Sequence, residues 1–204
     1  EIRIVIAPGQ RAPRGAATLA SVLGYAGMRF KWLAGGEWID AYGWQELSRV
    51  KIAGLGARWA AACDVPDLAL LPARYPGVST VQFRAALELG IEQLALWLIA
   101  ALRRKVANFP VERWAPQLAR IALALNWLGS ARGGMRVDVL GTRHDGSRAR
   151  IEWHLTANAN HGPEIPCMAA IMLTEKLIRG EIATRGAFPC MGFLTLADFE
   201  SEFK

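Results

Sequence analysis

Met135 to Thr142 and Ser147 to Ala157 are two arms joined by Arg143-His144-Asp145-Gly146, and no other stretch constrains the fold as much. In the second arm Ile151, Trp153 and Leu155 alternate with Arg150, Glu152 and His154, the period-two pattern of a strand with one buried face, and the Asp-Gly pair suits a tight hairpin turn. An antiparallel hairpin of this length excludes an all-helical protein and sits poorly in a strictly alternating βαβα chain. A second strand opens the sequence, with Ile2, Ile4 and Ile6 alternating up to Pro8-Gly9.

Between these two points the texture changes several times. Arg14 to Tyr25 places apolar residues at helical spacing, with Pro13 suited to the first turn. From Met28 to Ala62, tryptophans separated by glycine pairs predict short strands and loops. Asp64-Val65-Pro66-Asp67 caps a short helix or turn before Pro72, and Val78 to Ala86 is a Val- and Phe-containing strand. Leu87 to Val106 is the strongest helical segment, apolar on most of its surface and closed by Arg103, Arg104 and Lys105; it has to be covered on several sides. Trp114 to Leu128 is expected to pair with it in antiparallel fashion, stopping at Gly129. A last helix spans about Ile165 to Arg179, followed by an irregular apolar stretch, Phe188 to Phe199, that ends in a helical turn. Strands in runs predict an α+β fold, with a mixed, largely antiparallel sheet and helices on one face.

The chain has 204 residues, 52% hydrophobic and 21% charged, the composition of a globular domain with a real core, here read as one domain over residues 1–204. Its formal charge of +6 would imply nucleic acid only if the cations clustered, and they do so only at Arg103 to Lys105. The longest fully apolar run, Leu94 to Leu102, is far short of the roughly 20 residues that cross a bilayer, so no membrane partner is expected. Cys63, Cys167 and Cys190 form neither a CxxC pair nor an even set, which favours a reducing, cytoplasmic setting. The chain opens directly on a strand with no starting Met, as after a cut inside a longer protein.

Among the motifs, Val50-Lys51-Ile52-Ala53-Gly54-Leu55-Gly56 imitates a dinucleotide fingerprint but has Trp59 at the third glycine position and Gly77 where an acidic residue is needed. No cofactor site is therefore expected within these residues. His144 falls in a hairpin tip and His154 on the outward face of a strand, ordinary surface positions, whereas His161 stands in a polar loop at a sheet exit. Cys63 beside Asp64 is a poor thiolate, because a neighbouring carboxylate raises a thiol pKa, and reads as a buried, inert residue. Arg11 and Arg14 flank Pro13 at the start of the first helix, where guanidinium groups and free N–H groups can hold a carboxylate or phosphate; solvated arginines are the plainer reading. Arg74-Tyr75-Pro76-Gly77 and Ala131-Arg132-Gly133-Gly134-Met135 are further loops with a cation beside a flexible turn. Eight Trp and five Met serve a core, a cleft or an interface equally well.

Four blocks in order, IAPGQRAPRGAATLASVLGYAG, CDVPDLALLPARYPGVSTVQFRAALELG, GGMRVDVLGTRHDG and GPEIPCMAAIMLTEKLIRGEIATRGAFPCMGFLTL, resemble the saccharopine dehydrogenase-like oxidoreductases over nearly the whole chain. The resemblance implies a substrate-side, C-terminal domain similar to the second domain of glyceraldehyde-phosphate dehydrogenases, with the nucleotide-binding domain upstream and absent. It implies NAD or NADP for the full-length protein, a small-molecule substrate, a homodimer, and Arg11, Arg14, Arg74, Tyr75, Gly134, Met135 and His161 as residues of a cleft facing the absent domain. Two other readings stand beside it: a purely structural oligomerisation domain, and a free-standing enzyme using Cys63 or His161. A cut between domains would leave apolar surface exposed around the final helix and Ala187-Phe188-Pro189-Cys190-Met191.

Overall fold

The structure is a computed structural model, and it describes residues 1–13, 15–106, 111–200 and 202–203. It divides into two compact units, residues 1–162 and 163–204. The first is a mixed α+β unit built on an open sheet of eight strands. These are β1 (Ile2–Ala7), β2 (Arg29–Ala34), β3 (Glu37–Tyr42), β4 (Ser48–Ile52), β5 (Gly56–Ala62), β6 (Val81–Ala85), β7 (Gly133–Thr142) and β8 (Arg148–Ala157). The order is β3-β2-β6-β1-β7-β8, with β5 also pairing β6 and carrying β4 as its hairpin partner. Among the described residues only β1 and β6 run parallel, in the register Ile4 to Phe83; every other pair is antiparallel.

Alternation sends the two faces of the sheet to different partners. Ile4, Val81, Phe83 and Leu33 share a buried cluster with Leu23 of α1 (Ala16–Gly24), Leu68 of α2 (Asp67–Arg74), and Leu96 and Ala100 of α3 (Gly90–Lys105). On the opposite face Val5 and Ala7 join Ile52 and Ala60 of the β4–β5 hairpin, with Ala86. The Arg103 guanidinium ties α3 to α1, its Nη1 donating to the Leu23 and Gly24 carbonyls at 3.1 and 2.7 Å, two acceptors that the end of a helix leaves unpaired.

Helices α3 and α4 (Ala115–Ala124) differ from expectation. α4 packs on α1, and the Gln10 amide is set between α3 and α4, with Nε2 donating to Glu92 Oε1 and to the Ala122 carbonyl. Only Gln93, Leu96 and Ala100 of α3 are buried; Ile91, Leu94, Leu98 and Leu102 are exposed, so its apolar surface is covered on one side alone. Gln93 is buried for a local reason: its Oε1 accepts the Leu87 N–H at 2.8 Å and shapes the entry to the helix. Pro72 lies inside α2 rather than ending it.

The β7–β8 hairpin forms where the alternation places it, and Met135 and Val137 at the base of its apolar face pack on the main core, but the polar face is closed as well and the outer apolar residues are not. Asp138 on the polar side is 8% exposed, while Ile151 on the apolar side is 62% exposed. The tip of the β4–β5 hairpin explains this, because it supplies polar partners to the charged face. The Lys51 carbonyl accepts from Arg136, the Ala53 N–H donates to His154 Nδ1, and the Ala53 carbonyl accepts from Thr156. His154 is therefore half-buried and engaged, not turned out to solvent.

The second unit holds α5 (Glu164–Ile178) and α6 (Leu196–Glu200). Asp198 accepts the Thr195 N–H and hydroxyl at 2.6 and 2.8 Å and faces Lys176 at 3.4 Å, and Phe188 packs on Phe193. Residues 187–190 are exposed and Met191 half-buried, so the apolar segment there stays uncovered.

Candidate functional site

The carboxyl ends of the parallel pair β1 and β6 deliver two loops to one end of the sheet, the usual location of ligands in open sheets with parallel strands. The loop after β1 is Pro8-Gly9-Gln10-Arg11; the loop after β6 carries Glu88. Between them runs the approach to β7, Gly129 to Arg132.

Glu88 joins all three. Its carboxylate accepts the Gln10 N–H at 2.6 Å, the Ser130 N–H at 3.0 Å and the Ser130 hydroxyl at 2.7 Å, and Arg58 Nη2 stands 3.6 Å away. Arg58 is closed off, with 6% of its side chain exposed, and Nη1 donates to the Pro8 carbonyl. Burial pulls the Arg58 pKa below its ordinary value, Glu88 opposes this, and Arg132 adds to it. For Glu88, burial acts upward, but the Gln10 and Ser130 hydrogen bonds and Arg58 outweigh it and hold the carboxyl below the usual range. A carboxylate so engaged does not serve as a general base; it fixes loop positions. Backbone contact there is tight: a Cβ on Gly129 would stand 2.1 Å from the Gln10 Cβ.

Around this knot stand several of the residues singled out from the sequence. Arg11 donates from Nε to the Asn126 carbonyl and from Nη2 to the Trp127 carbonyl. Gly134 and Met135 follow Gly133 in β7, opposite Ala7 and Ile6 of β1, and Gly134 admits the Leu155 carbonyl, which would lie 2.7 Å from a Cβ. His161 follows β8 in a turn, its N–H donating to the Asn158 carbonyl, and Asn160 N–H ties that turn to Ala131. Arg132 is also at this end, donating from Nη2 to the Gly54 carbonyl at 2.6 Å. Arg74 and Tyr75 are not brought here. They close α2 ahead of the start of β6, at the other end of the strand, with Arg74 set over the Tyr75 ring. Arg14 lies outside the described residues.

Sequence reasoning missed Glu88, Arg58, Gln10 and Ser130; the one available sign was a carboxylate between a strand and a helix in Ala85-Ala86-Leu87-Glu88. It also missed the ion network of β7 and β8. Arg136 grips Asp138 with two bonds of 2.8 and 2.7 Å, and Arg150 and Glu152 extend the chain of charges. Burial of Asp138 acts upward on its pKa but is outweighed by Arg136 and Arg150.

Cys63 is buried against the Tyr25 hydroxyl at 3.2 Å, and burial raises its pKa, with Asp64 adding to the effect, so no thiolate is poised there. Ile52 to Gly56 is a β-hairpin turn, closed by the Leu55 N–H on the Ile52 carbonyl, with a strand after it; a dinucleotide pyrophosphate needs a helix N-terminus at that point, so the segment does not fit one. Among the described residues no group of three or more His, Cys, Asp or Glu could hold a metal ion, and no helix is long and apolar enough to cross a membrane.

No family model and no curated protein matches the chain. Among solved structures it is similar to apo histidine-tagged saccharopine dehydrogenase (L-Glu forming) from Saccharomyces cerevisiae, with a TM-score of 0.54 and 10% identity over 92% of this chain and 60% of that one. The chain thus spans about 60% of the length of that enzyme, and the likeness is one of fold.

Proposed function

We propose that this chain is the substrate-binding and self-associating domain of a saccharopine dehydrogenase-like, NAD(P)-dependent oxidoreductase, and that by itself it does not turn over substrate. The observation that carries the reading is the fold likeness, which takes in 92% of this chain. The four sequence blocks that resemble that family lie in order along the same residues and support it. In this reading NAD or NADP is held by a separate nucleotide-binding domain, because the glycine segment here turns a hairpin. The substrate is a small molecule bound at the end of the sheet where Arg11, Gly134, Met135 and His161 gather around the Glu88 knot. A cytoplasmic setting belongs to the same reading, with Cys63, Cys167 and Cys190 all free.

A second reading, a domain whose role is oligomerisation alone, draws on the exposed Val139 and Ile151 of the hairpin and on the bare side of α3. A calorimetric titration with small amino dicarboxylates, run beside a mass measurement in solution, separates the two. Heat together with a dimer mass is expected; a dimer that gives no heat favours the oligomerisation reading, and a monomer that gives no heat removes both.

A further inference from the structure

Arg84 is a charge in the middle of an apolar strand, Val81-Gln82-Phe83-Arg84-Ala85, on the face opposite Val81 and Phe83. Its guanidinium carbon stands 4.9 Å from the centroid of the Trp32 ring, and Nη1 donates to Gln82 Oε1 at 3.0 Å. Nε is buried with no hydrogen-bond partner, and so is the indole Nε1 of Trp32, a residue only 3% exposed. Two orphaned donors therefore sit at one place. No carboxylate among the described residues forms an ion pair with Arg84; Glu46 acts on it only at a distance, and Arg3 repels it. Native proteins rarely leave a buried N–H donor without an acceptor, and burial already pulls the Arg84 pKa below its ordinary value.

We propose that Arg84, Gln82 and Trp32 form a carboxylate-binding site in which a ligand carboxylate replaces the Gln82 amide oxygen as the partner of the guanidinium. The exchange substitutes a charged acceptor for a neutral one, and charge-assisted bonds to a guanidinium are roughly twice as strong as neutral ones. Arg84 and Gln82 are both half-buried, so this edge of the group is not sealed. A monocarboxylate fits better than phosphate: one cation is uncompensated here, because the neighbouring Arg3 already holds Glu1 at 2.7 Å, and a planar group matches the fork beside the flat indole. The proposal adds to the substrate-binding reading a place that shares no residue with the set around Glu88, and it rests on that reading for the ligand being a substrate.

The test is to follow arginine Nε–H resonances of the full chain by nitrogen-15 NMR while titrating propionate at constant ionic strength, with Arg84→Lys identifying the Arg84 signal. A saturable shift of that signal is expected with propionate and not with inorganic phosphate. Gln82→Glu, which places a carboxylate on the guanidinium from within the chain, keeps the fold and should weaken propionate binding at least about tenfold. Gln82→Ala, which removes the competing oxygen, should bind at least as tightly as the wild type. An unmoved Arg84 signal, a response to phosphate alone, or equal binding by Gln82→Glu and wild type overturns the site. If amino dicarboxylates still give heat while the Arg84 signal stays fixed, only this site fails; if they give none, the substrate-binding reading fails with it.

Discussion

Replacing Glu88 with Ala removes the carboxylate from the three loops it joins and leaves Arg58 in place, 6% exposed and without its ion partner. Hydrogen bonds to a charged group contribute about 1.5–3 kcal/mol each, but they share one carboxylate and are not additive. Removing one partner of a buried pair costs about 3–5 kcal/mol, chiefly through the charge left behind, and with 17% of the Glu88 side chain exposed the lower end applies, about 3 kcal/mol. Urea unfolding at neutral pH, followed by circular dichroism, measures the loss as a lower midpoint at unchanged slope. The Glu88 carboxyl is held below its ordinary range in the folded state. Its contribution is therefore complete above the unfolded-chain pKa and disappears as pH falls through the lower, folded value. Wild type and Glu88→Ala should thus differ at neutral pH and converge in acid. Arg58→Met in the Glu88→Ala background removes the stranded charge and should recover part of the loss. A neutral-pH loss under about 1 kcal/mol, the range of an exposed pair, would falsify the account of Glu88 as the tie between loops.

Gly129→Ala drives a methyl group into Gln10 at 2.1 Å and should cost about 1–3 kcal/mol, read as a lower thermal midpoint; an unchanged midpoint means that the two loops separate freely. Asp138→Asn keeps the shape but loses the charged grip of Arg136, a loss of about 1.5–3 kcal/mol at neutral pH. Because Asp138 is held below its ordinary pKa, that difference should vanish on acidification, and its persistence in acid would point to packing instead. A thiol reagent should label Cys167 and Cys190 in the native protein and reach Cys63 only after denaturation; rapid native labelling of Cys63 contradicts its burial against Tyr25.

The sequence announced what is local. Ile2, Ile4 and Ile6, the Asp145-Gly146 turn and Gly180 after the last long helix each carry their own signal, and the strands, turn and helix end are where those residues place them. The mixed, largely antiparallel sheet followed from the same pattern. What was hidden is made at a distance. Nothing in Ile4 names Phe83 as its parallel neighbour, and Glu88 finds two of its three hydrogen-bond donors on the backbones of Gln10 and Ser130, where side-chain identity leaves no trace. Trp114 to Leu128 had the right helical texture but no feature to say that α1, not α3, would receive α4.

The β7–β8 hairpin shows why alternation predicts a face more securely than its burial. Period two separates Ile151 and Val139 from Arg150 and Asp138 whatever covers them, but which side is closed depends on where a third element lands. Here the β4–β5 tip lands on the charged side, because Arg136 and Thr156 can use its free carbonyls and its Ala53 N–H finds His154. Polar groups so satisfied cost little to bury, whereas the same tip laid on Ile151 would strand those carbonyls and that N–H against methyl groups. The consequence is a hairpin whose outer apolar residues, Ile151 on the edge strand and Val139 beside it, stand in water, an arrangement that folded chains ordinarily avoid by covering or charging the edge. That is why the solution mass weighs as heavily as ligand binding in deciding between the two proposed roles. A second copy would remove the exposed Ile151 and Val139 from water, and a monomer would leave them there.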